Sequence, residues 1–446
     1  MARRAWVIGA AGVVVVALAS ATSSSGGTAA NSAVPSSPSS GAVATAAPTA
    51  TPTTAPLVTE PTITEPPATE PTITEPPATE PSTTEPAATD PSSTSTTSST
   101  TTTPAYNGLF DGKAFDAVVA AATVDHGDIS AGVAVMRNGE VLHSAAFGME
   151  NPFESTPATT HTRFRIASVS KMLTAAAIMQ LVEAGSIELD QPFAGQLGLD
   201  GPFADPRVEA VTVRQLMSHT SGFTASRGIF FGHGLDTWQQ AANNALGQVL
   251  QFDPGTAFQY SNTNYCLLGL LLESVTGQPF EKAIRERVLE PIDAKAHLAP
   301  TFDTQAGDAL HASAAGRNYM EVLGPAGGWV ATPLDVAKVA SALRLAEIAP
   351  ADGTLVAKAS VDAMRVPVPV PVEDPPAVNG WSYGLGLILF GDGSWGHTGT
   401  IESTHAIVVN RPDGLTISVL VSGKVPDNTD DLVGVIDLAV AAATAS

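Results

Sequence analysis

The sequence predicts an α+β fold: an antiparallel sheet flanked by helices, with an inserted and mainly helical lobe. Strand patterns stand near both ends of the globular part, and helical patterns fill its middle. Residues 129–136 and 140–147 alternate apolar and polar side chains around Asn138-Gly139, a dipeptide that tolerates the positive φ angles of a tight hairpin. Residues 404–409 and 415–421 form a second such pair around Arg411-Pro412-Asp413-Gly414. Helical periodicity covers 114–124, 172–184 (stopped by Gly185) and 431–443. A sheet closed by the first and last segments leaves roughly 186–324 as the inserted lobe, and a cleft between lobes is where substrate sites usually form.

The globular part does not begin at the first residue. Arg3 and Arg4 precede an apolar run over 5–19, followed by small residues offering Ala17-Leu18-Ala19 or Ala19-Ser20-Ala21 for cleavage. Residues 1–21 therefore read as an export signal, with an uncleaved signal anchor as the alternative. Residues 22–104 are low-complexity Ser, Thr, Pro and Ala, and 59–93 repeat a five-residue unit: TEPTI, TEPPA, TEPTI, TEPPA, TEPST, TEPAA, TDPSS. A proline in every unit blocks helix and central strand, and an acid in every unit adds self-repulsion. At about 3.1 Å per residue such a spacer reaches on the order of 100 Å, as a stalk or as an inert linker. Residues 105–446 read as the globular domain, and the expected location is secreted or in the cell envelope.

Charge excludes one class of partner. The first 104 residues hold two basic and seven acidic side chains; the remainder holds 19 basic and 36 acidic, a net charge of −17. Such a domain lacks the basic surface that nucleic acid requires, and anionic lipid would repel it. Membrane contact is expected only through an uncleaved signal. The single cysteine, Cys266, allows no intramolecular disulfide and sits in the apolar run Tyr265-Cys266-Leu267-Leu268, which reads as a core thiol.

Three short segments carry the chemistry. Arg165-Ile166-Ala167-Ser168-Val169-Ser170-Lys171 leads into the helix over 172–184. Ser168 at a helix N-terminus gains a positive field, and Lys171, three residues on, stands on the same face. A serine hydroxyl is a poor nucleophile until a neighbour takes its proton, which a lysine of lowered pKa can do. An N-cap serine would give the same pattern. In Phe258-Gln259-Tyr260-Ser261-Asn262, the Tyr260 oxygen can relay a proton and the Asn262 amide can hold a substrate carbonyl, although capping of a helix by Ser261 or Asn262 explains the segment equally well. In Gly396-His397-Thr398-Gly399-Thr400, glycines let a substrate backbone approach closely, and the Thr400 N–H could join that of Ser168 as an oxyanion hole. His397 would supply a hydrogen bond and, when protonated, positive charge. A tight surface turn is the bland alternative.

Taken in order, Ser168-x-x-Lys171, Tyr260-x-Asn262 and His397-Thr398-Gly399 resemble the three boxes of serine β-lactamases and penicillin-binding proteins, with histidine replacing the usual lysine of the third box. Leu216-Met217-Ser218-His219-Thr220-Ser221-Gly222, Gly324-Pro325-Ala326-Gly327-Gly328 and Tyr383-Gly384-Leu385-Gly386-Leu387 extend the resemblance over 105–446. It is nearest the branch of class C β-lactamases, D-alanyl-D-alanine carboxypeptidases and related esterases. The resemblance implies a β-lactamase/DD-peptidase-like fold and an acyl-serine intermediate, with Ser168, Lys171 and Tyr260 catalytic. Asn262, His397, Thr398, Gly399 and Thr400 would bind substrate, with no cofactor and no metal. His219 reads as structural, holding its loop by hydrogen bonds.

The substrate that the resemblance implies is a small molecule or peptide: a peptidoglycan stem peptide, a β-lactam or an ester. A carboxypeptidase must bind a terminal carboxylate, yet 387–395 lead into His397 with no Lys or Arg, and Ile388 stands where similar carboxypeptidases often carry Arg. An esterase or amidase on neutral substrates suits that apolar run, as does a plain core strand. A non-catalytic penicillin-recognising sensor is the reading from a different class.

Overall fold

The computed structural model describes residues 110–445 except 226, 232–233, 300–303, 312–318, 349–353, 371–379 and 425–428. The expected export signal over 1–21 and the linker over 22–104 lie outside the described residues.

The main sheet is antiparallel, in the order β3-β2-β1-β11-β10-β9-β8-β7. Its strands are β1 (Ser130–Arg137), β2 (Glu140–Asn151), β3 (Thr156–Pro157), β7 (Ser382–Tyr383), β8 (Ile388–Leu389), β9 (Trp395–Ile401), β10 (Thr404–Asn410) and β11 (Leu415–Ser422). Pairing of β1 with β11, Ser130 opposite Ser422 through Arg137 opposite Leu415, joins the first and last strands as expected. The Asn138-Gly139 hairpin is present, with φ of 51° and 84°.

Both faces of the sheet are covered, so its central strands are buried throughout rather than alternately. Val133 and Val135 of β1 and Ile417 and Val419 of β11 pack against helices Gly112–Ala122 and Asp431–Ala443, through Phe115, Val119, Leu432 and Ile436. On the opposite face Ala134 and Met136 meet Ala337 of the Pro333–Ile348 helix, while Ala406, Val408 and Leu420 join the larger core. That core reaches into the helical lobe, where Trp238–Leu246 and Asn262–Thr276 pack together.

One expectation needs correction. The sheet is not single: β4 (Phe164–Arg165), β5 (Ala296–Leu298) and β6 (Trp329–Ala331) form a separate three-stranded sheet in the order β4-β6-β5. Strands of two or three residues are too short to show a period in sequence, and β5 lies within the stretch read as helical. This small sheet leads directly into the nucleophile turn, since the Ile166 N–H donates to the Trp329 carbonyl at 3.0 Å.

Candidate active site

Ser168 does not cap a helix. It sits in a single 3-10 turn, Ala167–Val169, that feeds the Ser170–Glu183 helix. Ala167 holds a φ of 48°, a left-handed conformation costly for a residue with a side chain. The nucleophile therefore stands on a sharp bend, half-buried, with Lys171 in the first turn behind it.

Lys171 is fully buried and its Nζ has three acceptors: Ser168 Oγ at 3.1 Å, Asn262 Oδ1 at 2.8 Å and the Ala326 carbonyl at 2.7 Å. None is a carboxylate. Burial pushes its pKa down to about 7. The amine also lies 4.7 Å from the ring centroid of Tyr260 and 5.4 Å from that of Tyr265. Ala326 comes from the Gly324–Ala326 turn, whose Pro325 carbonyl accepts from Thr174 Oγ1 at 2.9 Å and so is tied to the nucleophile helix.

Asn262 opens the Asn262–Thr276 helix, and Ser261 is its N-cap residue, so the capping alternative is right about place. It is wrong about bonding: the Ser261 hydroxyl donates to the Thr224 carbonyl at 2.7 Å instead of closing the helix. Tyr260 precedes it at the cavity wall. Burial holds its phenol well above the ordinary range, against a smaller downward pull from Ser168. The Tyr260 hydroxyl has no standard-geometry hydrogen bond among the described residues.

His219 organises this end of the site. Its Nδ1 accepts from the Ser261 N–H at 3.2 Å and from Asn264 Nδ2 at 3.1 Å, so the ring proton is on Nε2. Burial, then Lys171, push its pKa far down, which keeps the ring neutral. The ring stacks 4.3 Å from that of Tyr260. Holding Ser261 and Asn264 fixes both Tyr260 and Asn262, so the structural reading of His219 stands.

The third segment is a strand, not a surface turn. Gly396, His397, Thr398, Gly399 and Thr400 lie on β9, which passes against the Ser168 turn. A Cβ at Gly399 would stand 2.8 Å from the Ser168 nitrogen and 2.6 Å from the Ile166 carbonyl oxygen, so only glycine permits the approach. Thr400 is exposed at the cleft, its hydroxyl bonded to Thr429.

The positive charge expected of His397 is absent. Its Nδ1 donates to the Thr398 carbonyl at 2.5 Å, and its Nε2 accepts from the Tyr383 hydroxyl at 2.9 Å. Burial, then Lys171, push its pKa down to about 3. The sequence could not reveal this, because burial of the ring depends on Tyr383 arriving from a distant strand. His397 thus braces β9 and offers substrate no cation.

Ser168, Tyr260, Ile388, His397, Thr398, Gly399 and Thr400 line one cavity of about 270 Å³, together with Trp381 and Asp430. Lys171 reaches it through its bond to Ser168 Oγ, and Asn262 is tied to it through Lys171. Sequence reasoning missed Tyr383 and Ala326 as site residues, although both lie in segments that carried the resemblance. Trp381 and Asp430 stand in no motif and left no signal. Cys266 is a buried core thiol with its pKa pushed up to about 12, as expected.

A serine hydroxyl beside a lysine amine of lowered pKa, a phenol and the close-passing strand β9 can carry out acyl transfer. The family model described as Beta-lactamase matches residues 115–441, and the chain belongs to that family. Penicillin-binding protein 4 of Amycolatopsis lactamdurans is 33% identical over 169 residues, covering 38% of this chain and 44% of that protein. The chain spans less than half the length of the curated relatives it matches. Among solved structures, SurE with D-Leu is similar over 74% of both chains, at 28% identity and a TM-score of 0.60. A D-stereospecific amidohydrolase from Streptomyces sp. is similar over 72% of this chain and 97% of its own, at 25% identity and a TM-score of 0.58. The chain has the fold of the β-lactamases and penicillin-binding proteins.

Proposed function

We propose that this hydrolase transfers an acyl group from an amide, peptide or ester to Ser168 and then to water, acting outside the cytoplasm as a secreted or cell-envelope enzyme. The observation that carries the chemistry is the 3.1 Å approach of Lys171 Nζ to Ser168 Oγ in a pocket that brings the amine to a pKa of about 7. Neutral Lys171 takes the hydroxyl proton as Oγ attacks the carbonyl carbon. Tyr260, held as a phenol, passes a proton to the departing amine or alkoxide. Water then attacks the acyl-serine ester by the reverse path. Asn262, fixed by Lys171, retains its amide N–H groups for the substrate, and the backbone N–H groups of Ser168 and Thr400 hold the oxyanion. The Arg3-Arg4 pair and the apolar run after it support export.

Among the wider readings, an amidase or esterase is favoured over a carboxypeptidase. Among the described residues that line the Ser168 cavity there is no Lys or Arg and His397 is neutral, so a terminal carboxylate has only the catalytic Lys171, behind Ser168, as a cationic neighbour. The kinship with a D-stereospecific amidohydrolase points the same way. Hydrolysis of p-nitrophenyl acetate and of alanine p-nitroanilides by wild type and Ser168→Ala tests the proposal. Loss of about a thousandfold or more in the variant is expected; equal rates in the two proteins would overturn it. kcat/KM should rise with pH through about 7, because Lys171 accepts a proton only when neutral. A rate independent of pH between 5 and 9 would contradict Lys171 as the base.

A further inference from the structure

The Ser168 cavity does not end at β9. It shares two walls, Trp381 and Asp430, with an adjoining cavity of about 320 Å³ that Phe390 and Val433 line with apolar surface. Asp430 is thus the carboxylate common to the chamber that holds the nucleophile and the chamber beside it. Among the described residues no Lys or Arg lines either space, and the histidine of the first is neutral. The charged side chains among the described lining residues are acidic: Asp430 in both chambers, Asp392 and Asp437 in the second.

We propose that Asp430 is a specificity-determining residue that binds a protonated amine of the acyl substrate, so that the enzyme prefers amides, peptides or esters carrying a free amino group. The inference rests on the acyl-transfer reading above and names the substrate class for it. Three physical points support it. A partly desolvated carboxylate gains most from an ammonium partner, because the local dielectric is low and the bond is charge-assisted. Burial, followed by Asp431, pushes the Asp430 pKa up, and an ammonium in the cavity would offset that cost to the charged form. Trp381 lines both spaces, and the apolar wall of Phe390 and Val433 beyond it offers room for the group that bears the amine. A domain of net charge −17 also draws cations toward the cleft and repels carboxylates.

The test compares kcat/KM of the full chain on alanine p-nitroanilide, N-acetylalanine p-nitroanilide and Nα-acetyllysine p-nitroanilide, each in D and L form, near pH 7. A preference of at least about tenfold for a free amine over the N-acetylalanine substrate is expected, as a charge-assisted bond would give. Preference for the first substrate places the amine on the α-carbon; preference for the third places it on the side chain. Asp430→Asn should bring the ratio to within about twofold of unity, Asp430→Glu should restore part of it, and added salt should shrink it. Equal or better turnover of N-acetylalanine p-nitroanilide, or a ratio unmoved by Asp430→Asn, would overturn this inference and leave the acyl-transfer reading in place. No Ser168-dependent turnover of any ester or anilide would overturn both.

Discussion

Lys171 shows how function and stability oppose each other at a single residue. Its amine is buried among Ser168, Asn262 and the Ala326 carbonyl with no carboxylate partner, and its pKa falls from 10.5 to about 7. Between those two values the unfolded chain binds a proton that the folded chain does not, so this group's contribution to stability rises with pH across that window. Below about pH 7 the fold carries the full cost of a buried ammonium, at about 1.4 kcal/mol per pKa unit. Lys171→Met should therefore reduce hydrolysis by at least about a hundredfold and yet melt at the wild-type temperature or above it at pH 6. A marked fall in Tm would contradict this account of the pocket. His219→Ala should act in the opposite sense on stability, because the Ser261 N–H and the Asn264 amide lose their buried acceptor. A cost of about 1–3 kcal/mol is expected from the denaturant midpoint; no change would show that water replaces the ring. That Ser168, Lys171, Tyr260 and Asn262 stand together was legible in sequence because their segments, taken in order, resemble the boxes of one family. The neutrality of His397 and the place of Asp430 were not, because each depends on neighbours brought from elsewhere in the chain.

At the level of elements, the site depends on how closely β9 passes the Ala167–Val169 turn. Gly399 permits that approach: an added methyl would meet the Ser168 nitrogen and the Ile166 carbonyl oxygen within 3 Å. Gly399→Ala should push the strand away from the nucleophile and lower kcat/KM by about a hundredfold, as a 1 Å misplacement can. Far-ultraviolet circular dichroism should stay that of the wild type; retained activity would mean that the β9 edge does not hold the reacting group. The long strands β1, β10 and β11, and the terminal helix Asp431–Ala443, were readable because each runs long enough to show its period or its turn residues. β4, β5 and β6 were not, since two or three residues carry no period, and only pairing with one another makes them strands.

For the whole molecule, the two ends of the globular part are one structural unit. β1 pairs with β11, and Phe115 and Val119 pack with Leu432, Ile436 and Val440 beneath that pair. Leu432, Ile436 and Val440 are each worth roughly 2 kcal/mol in burial, which together approach the net stability of an ordinary domain. Truncation after Asp430 should leave an aggregation-prone chain with no cooperative thermal transition; a soluble, active truncate would refute this view of the core. The fold class was visible in sequence because its closing strands stand at both ends of the globular part, with strong turn signals between them. The central step of the proposed reaction is an acyl group carried by Ser168. Intact mass after acid quench, with the protein incubated with a fluorescent penicillin or a p-nitrophenyl ester, tests that directly. An adduct of the acyl mass on wild type, mapped to the peptide holding Ser168 and missing from Ser168→Ala, is the predicted result. Substrate turnover with no adduct in a rapid quench, or an adduct that survives in Ser168→Ala, would contradict it.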